Sequence, residues 1–197
     1  MTSHNLLPNN FQGTHYRLTN NWFPFIPLDS SQPIKYLEIG TFIGANIISC
    51  TKTYGSHPNS LLYGIDPYID YKDYNEYVGK ISESYEILQN NLKLLDEKER
   101  KKITIFRDYS HDKIPKLINE YFDIIYIDGN HNPEYVLEDA ILSFRKLKKN
   151  GYMIFDDYGW NGENGTKRGI DAFLYTFHHK IKVLGIQETQ VFIQKLD

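Results

Sequence analysis

Two hydrophobic runs end in residues that can do chemistry. Residues 123–127 lead into Asp128-Gly129-Asn130-His131, and residues 152–155 lead into Asp156-Asp157-Tyr158. Neighbouring strands of a parallel sheet lie about 4.8 Å apart and ligands bind beyond their carboxyl ends, so Asp128, Asp156 and Asp157 are expected to crowd one small volume. A divalent cation is the simplest relief for that repulsion, and an oxygen-only set favours Mg²⁺, Mn²⁺ or Ca²⁺ over zinc. His131, with an ordinary pKa of about 6.5, can take a proton from a hydroxyl acidified by such a cation. The structural alternative is helix capping by Asp156 or Asp157, a turn at Asp128-Gly129, and a histidine that merely orders that turn. Asp139, on the following helix, is expected to support the site rather than ligate.

A second constellation begins with Tyr36-Leu37-Glu38-Ile39-Gly40-Thr41-Phe42-Ile43-Gly44. An apolar run ends there in a glycine turn, and residues 45–54 can form a helix whose free N–H groups face it. Gly40 is expected to let a ligand approach the backbone, and Gly44 to let the helix pack tightly on its strand. Residues 61–65 make the next strand, so Asp66 at its tip can accept from two ribose hydroxyls. The Glu-x-Gly-x-x-x-Gly spacing differs from the Gly-x-Gly-x-x-Gly of dinucleotide sites.

The placement of Glu38, Gly40, Gly44 and Asp66 resembles the class I S-adenosylmethionine-dependent methyltransferases. The resemblance implies that Glu38 holds the methionine amino group, that Thr41 belongs to the cofactor turn, and that Asp108, Tyr109 and Ser110 sit where the family contacts adenine. Ser110 is alternatively a cap for the helix after it. Asp128, Asp156 and Asp157 also resemble the ligand set of metal-dependent O-methyltransferases of the catechol type, with Asp157 replacing the usual Asn and His131 standing where that type has a catalytic Lys. Asp156-Asp157-Tyr158-Gly159, with Gly169, Asp171 and Phe173 downstream, is closer to the macrocin-type sugar O-methyltransferases. Asp128-Gly-x-His131, with Val136 and Asp139, resembles bacterial methyltransferases of glycan modification, from which Pro133 departs because an aromatic residue is common there.

What these resemblances imply is transfer of a methyl group from S-adenosyl-L-methionine to a hydroxyl of a sugar, glycan or related small molecule, assisted by Mg²⁺ or Mn²⁺. Asp128 and His131 would be the catalytic residues, with Asp128 also lying against the cofactor. A catechol-like phenol is the alternative acceptor, and a non-catalytic cofactor-binding protein of the same fold is the alternative class.

The elements that must position these residues alternate after residue 33. Strands are predicted near 34–39, 61–66, 103–107, 123–128 and 151–156, with helices near 44–54, 82–99, 111–120, 134–149 and 166–178. A final antiparallel hairpin pairs residues 182–186 with 191–195. The class is α/β, with a parallel sheet covered by helices on both faces. Five parallel strands ending in a hairpin resemble the Rossmann-like, seven-stranded, mostly parallel methyltransferase sheet, over residues 34–197. Residues 1–33 are irregular and aromatic, and read as an arm, a lid, or a strap over the sheet edge, with a homodimer through that arm left open. Loops 67–80 and 159–168 offer Tyr68, Tyr71, Trp160 and Arg168 to an acceptor pocket.

Composition narrows the function classes. The 197 residues suit one domain of ordinary size. Net charge is −3, from 22 Lys+Arg against 25 Asp+Glu, and the one basic run, 98–102, is expected at a solvated helix end, so no nucleic-acid partner is expected. A lone cysteine, Cys50, excludes a disulfide framework or thiolate metal cluster within the chain. With no long apolar stretch and no signal-peptide pattern, a cytoplasmic protein without membrane attachment is expected.

Overall fold

Short runs rich in Ile, Leu, Tyr and Phe form the strands, because branched and aromatic side chains fit a pleated surface buried on both faces. In the computed structural model, which describes residues 6–70 and 81–196, they make one seven-stranded sheet. The strands are β1 (Lys35–Ile39), β2 (Leu61–Ile65), β3 (Ile103–Phe106), β4 (Phe122–Ile127), β5 (Leu147–Phe155), β6 (Ile181–Gln187) and β7 (Gln190–Lys195). Their order is β3-β2-β1-β4-β5-β7-β6; β7 runs antiparallel to β5 and β6, and the other pairs are parallel. The fold is the Rossmann-like class expected, hairpin included.

Alternation along β1 divides the core. Tyr36 faces a cluster with Ile47 and Ile48 of α1 (Ala45–Cys50) and Leu88 of α2 (Ile81–Lys93). Leu37 and Ile39 face the opposite cluster, with Val136 and Phe144 of α5 (Pro133–Phe144) and Ile170 and Phe173 of α6 (Thr166–Phe177). Residues 18–26 close the first face: Trp22 is fully buried beside Tyr36, Tyr54 and Tyr126, and its Nε1 donates to Gln190 Oε1 at 3.2 Å. That part of the N-terminal segment is a strap built into the core.

Several helices are shorter than the periodicity predicts. The helix expected over 82–99 is two, α2 and α3 (Glu97–Arg100), because Asp96 accepts from the Glu99 N–H at 2.8 Å and starts a new helix. The helix expected over 111–120 is α4 (Ser110–Lys113) followed by a 3₁₀ turn, Ile114–Lys116, where Pro115 lacks a donor. The first helix stops at Cys50: Thr51 Oγ1 donates to the Ile48 carbonyl at 2.7 Å, and the Gly55 N–H returns to the Cys50 carbonyl at 2.8 Å. After α5 the chain turns early because the Lys146 ammonium is held by the Pro115 and Leu117 carbonyls and by Asn119 Oδ1. Among the described residues no helix is long and apolar enough to cross a membrane.

Candidate functional site

Strand order reverses between β1 and β4, and beyond their carboxyl ends lies a cavity of about 550 Å³. This is the switch point where open α/β sheets bind ligands. Glu38, Gly40, Thr41, Asp66, Tyr109, Ser110, Asp128, His131, Asp156 and Asp157 all line it.

One wall comes from β1 and β2. Gly40 has φ +83°, and a Cβ there would fall on the Asp128 carbonyl oxygen, with the carbonyl carbon 2.5 Å and Gly129 Cα 2.8 Å away. Gly40 lines the cavity as expected of a ligand-facing turn, and it also lets the turn after β1 lie against the backbone leaving β4. Gly44 likewise lies against Leu88 of α2 rather than against its own strand. The Glu38 carboxyl is buried and accepts from Tyr36 Oη at 2.6 Å. Burial pushes it well above the usual carboxylate range, with Asp128 and Asp66 adding to the rise, so a nearby cation would relieve it. Asp66 accepts from the Phe42 and Tyr68 N–H groups, each at 2.9 Å, and also faces the Thr41 N–H, which pins the flanking turns and leaves about one lone-pair direction for a ligand. Asn46 Oδ1, also in this wall, is a buried acceptor with no hydrogen-bond partner among the described residues.

The expected adenine contacts divide. Tyr109 lies at the rim, 46% exposed, and Ser110 lines the cavity at the start of α4, where it bonds the Asp139 carboxyl instead of capping. Burial raises Asp139 to about 7. Asp108 is not among the lining residues; its carboxylate stands 3.9 Å from Lys113 Nζ near solvent. Tyr68, expected in an acceptor pocket, is core beside Tyr85, Arg168 is exposed outside the cavity, and Tyr71 lies outside the described residues.

The other wall holds the acids. Asn130 Oδ1 accepts from the Asn132 N–H at 2.8 Å, and this turn brings His131 back over the end of β4. His131 Nε2 stands 3.3 Å from Asp157 Oδ2 and 3.8 Å from Asp128 Oδ1, and its ring packs on Trp160 at 4.8 Å. One ligand atom from each of Asp128, His131 and Asp157 fits within a 4.8 Å spread. Asp156 is not in that set. It accepts from Tyr126 Oη and from the Asp157 N–H at 2.7 Å, because Tyr126 is buried beside it and needs an acceptor. The converging trio thus exchanges an expected carboxylate for an imidazole.

Arg17 was invisible to motif reasoning, since residues 14–19 carry no periodic signal. Its Nη2 stands 2.9 Å from Asp157 Oδ1 and 3.4 Å from Asp156 Oδ1, and Nη1 donates to Thr189 Oγ1. Tyr126 was findable, because it lies two residues before Asp128 on the same strand face. The charges answer one another. Burial alone would lower the His131 pKa, but Asp128, Asp157 and Asp156 outweigh it and raise it above 6.5. Burial, then Asp156, raises Asp128.

Residues 37–158 match the family described as "Methyltransferase domain". An uncharacterized protein of Acanthamoeba polyphaga mimivirus is 28% identical over 129 residues, 64% of this chain and 52% of that protein. The chain thus spans about half the length of this curated relative. Among solved structures, a putative O-methyltransferase from Klebsiella pneumoniae has a TM-score of 0.64 at 17% identity, over 97% of this chain and 84% of that one. The Bacillus cereus O-methyltransferase in complex with SAH has a TM-score of 0.58 at 16% identity, over 83% and 74%. MycE methyltransferase from the mycinamycin biosynthetic pathway, in complex with Mg and SAH, has a TM-score of 0.61 at 16% identity, over 90% of this chain and 49% of that one.

Proposed function

The chain belongs to the methyltransferase-domain family and has the class I S-adenosylmethionine-dependent methyltransferase fold, and on that premise we propose that it methylates a hydroxyl of a sugar, glycan or related small molecule, with a divalent cation held by Asp128, His131 and Asp157. The observation that carries the reading is one cavity with two chemically distinct walls: buried Glu38 with Asp66 on one side, and the acid–imidazole trio on the other.

The residues present suit both groups. Glu38 offers a buried acid to a methionine ammonium, and unpartnered Asn46 Oδ1 offers an acceptor. The two carboxylates suit Mg²⁺ or Mn²⁺, and the imidazole also admits softer divalent ions, which widens the oxygen-only expectation. S-adenosylmethionine supplies an electrophilic methyl group on sulfur, and a divalent cation lowers the pKa of a hydroxyl bound to it.

His131 Nε2 has one lone pair, so it either ligates or accepts the hydroxyl proton; either role needs the neutral ring. With no cation bound, Asp128 and Asp157 both face Nε2 and hold it while it carries a proton, which a cation or the acceptor hydroxyl would have to displace, and Trp160 packs on the ring. A second reading, with His131 as base and no cation, is favoured by the Arg17 ion pair, which already offsets charge on Asp156 and Asp157. For the acceptor, Tyr16, Phe42, Tyr109 and Tyr135 are 73%, 39%, 46% and 43% exposed among the residues lining the cavity, aromatic faces suited to stacking on a sugar ring.

The test is methyl transfer to a panel of glycans, nucleotide sugars and catechols, with Mn²⁺ and with chelator. Turnover of sugar hydroxyls that stops with chelator supports the reading. Turnover of catechols alone refutes the sugar acceptor, and full sugar turnover in chelator moves the mechanism to His131 without a cation.

A further inference from the structure

We propose that Arg17 is the resident counter-cation of the acidic wall, and that a divalent ion must compete with it for Asp157. The inference rests on the cation site proposed above and concerns what sets its occupancy. Arg17 lies outside the sheet, yet its guanidinium bridges both acids after β5 and is tied to Thr189 in the β6–β7 turn.

The chain is anchored to deliver it. Leu18 is buried, and Thr19 is fully buried with its Oγ1 bonded to Ser49 Oγ at 2.9 Å and Thr53 Oγ1 at 2.7 Å. Arg17 itself has φ +42°, a left-handed conformation that a non-glycine residue keeps only when its surroundings enforce it. The enforcing contacts are the anchor on one side and the carboxylates on the other.

Arg17 and a divalent ion would share one carboxylate. Asp157 Oδ1 receives Arg17 Nη2, and Asp157 Oδ2 faces His131 Nε2 inside the trio. Two cations on opposite oxygens of one carboxylate are separated by only about 5 Å in a partly buried wall, where screening by salt is weak. Arg17 therefore neutralises the acids when no ion is bound, and lowers the affinity for one. Arg17 also belongs, with Thr14, His15 and Tyr16, to the cavity wall, so a bound ion that loosens Arg17 also loosens that wall.

Titration of Mn²⁺ alone into the full chain, followed by calorimetry and by electron paramagnetic resonance of free Mn²⁺, tests this without any activity measurement. Arg17→Gln should bind Mn²⁺ at least tenfold more tightly than the wild type, and Arg17→Lys, which keeps the charge, should stay within about threefold of it. Equal or weaker binding in Arg17→Gln, with Asp157→Asn abolishing binding, overturns the competition and leaves the cation site standing. No Mn²⁺ binding by wild type or by Arg17→Gln, both folded by thermal melting, refutes the cation site and the competition together. Tight binding in both Arg17→Gln and Arg17→Lys means that shape rather than charge was at issue, and also overturns it.

Discussion

Replacing Gly40 by alanine tests how the site is assembled, because two separable costs fall on one methyl group. The first is conformational: at φ +83° a residue with a Cβ costs about 1 kcal/mol relative to glycine. The second is steric, since the new Cβ falls on the Asp128 carbonyl and the backbone after β4 must move; overpacking of this kind costs roughly 1–3 kcal/mol. Gly159 supplies the control, having φ +96° but nothing within 4 Å of a Cβ, so Gly159→Ala carries only the first cost. In urea, with a slope of roughly 2 kcal/mol/M, the midpoint should fall by roughly 0.5 M for Gly159→Ala and roughly 1–2 M for Gly40→Ala. The displaced group is Asp128, so Gly40→Ala should also weaken Mn²⁺ binding while Gly159→Ala leaves it within about twofold. Equal midpoints for the two variants would refute the claim that Gly40 is required by contact between β1 and β4.

Three further outcomes are expected. S-adenosylhomocysteine should bind with measurable heat and NAD should not, and Asp66→Asn should weaken S-adenosylhomocysteine at least fivefold, since Asp66 both holds the turns at Phe42 and Tyr68 and faces the cavity; unchanged affinity sinks the ribose role. By NMR in metal-free protein, His131 should titrate above 6.5, and Asp157→Asn should lower that value. Because the folded pKa is raised, the stabilisation is complete below about 6.5 and is lost as pH rises through the folded value, so a stability profile flat through that window contradicts the ion pairs. Chelation should cut turnover on a hydroxyl acceptor at least tenfold and change S-adenosylhomocysteine affinity less than twofold, because Glu38 and Asp66 follow β1 and β2 while the trio follows β4 and β5; parallel loss of both would show that the two groups are not independent.

The parts of the fold legible in the sequence are those written in local pattern. Apolar runs closed by Gly40, Asp66, Asp128 and Asp156 marked strand ends, and strand ends of a parallel sheet mark the site. The helix break was legible too, since Asp96-Glu97-Lys98-Glu99 has the spacing of a capping box, but the apolar periodicity across Leu94 and Leu95 outweighed it. Which way Asp156 turns was not legible from its own motif, because the decision is made by the buried Tyr126 hydroxyl on the neighbouring strand. Asp108 is a similar case: a position relative to a strand end does not say whether a carboxylate lines the cavity, and this one stands 3.9 Å from Lys113 Nζ near solvent. Arg17 and Trp22 are pure tertiary facts, each meeting partners more than a hundred residues away with no repeat to announce it.

Those distant partners also set an order of events during synthesis. Arg17 meets Thr189 across 172 positions, and Trp22 meets Gln190 across 168. A nascent chain that has emerged only as far as β5 can pair its parallel strands, bring Asp128 and His131 together and rest Thr19 on Ser49 and Thr53, but it lacks the β6–β7 turn that completes the contacts of the strap. Contacts this distant in sequence form slowly, because the loop must close before they reward it. Until the turn arrives, the Arg17 guanidinium has the acids after β5 but not Thr189, and the Trp22 indole has its aromatic neighbours but no acceptor for Nε1. The final hairpin thus locks a strap that the first helix can already hold.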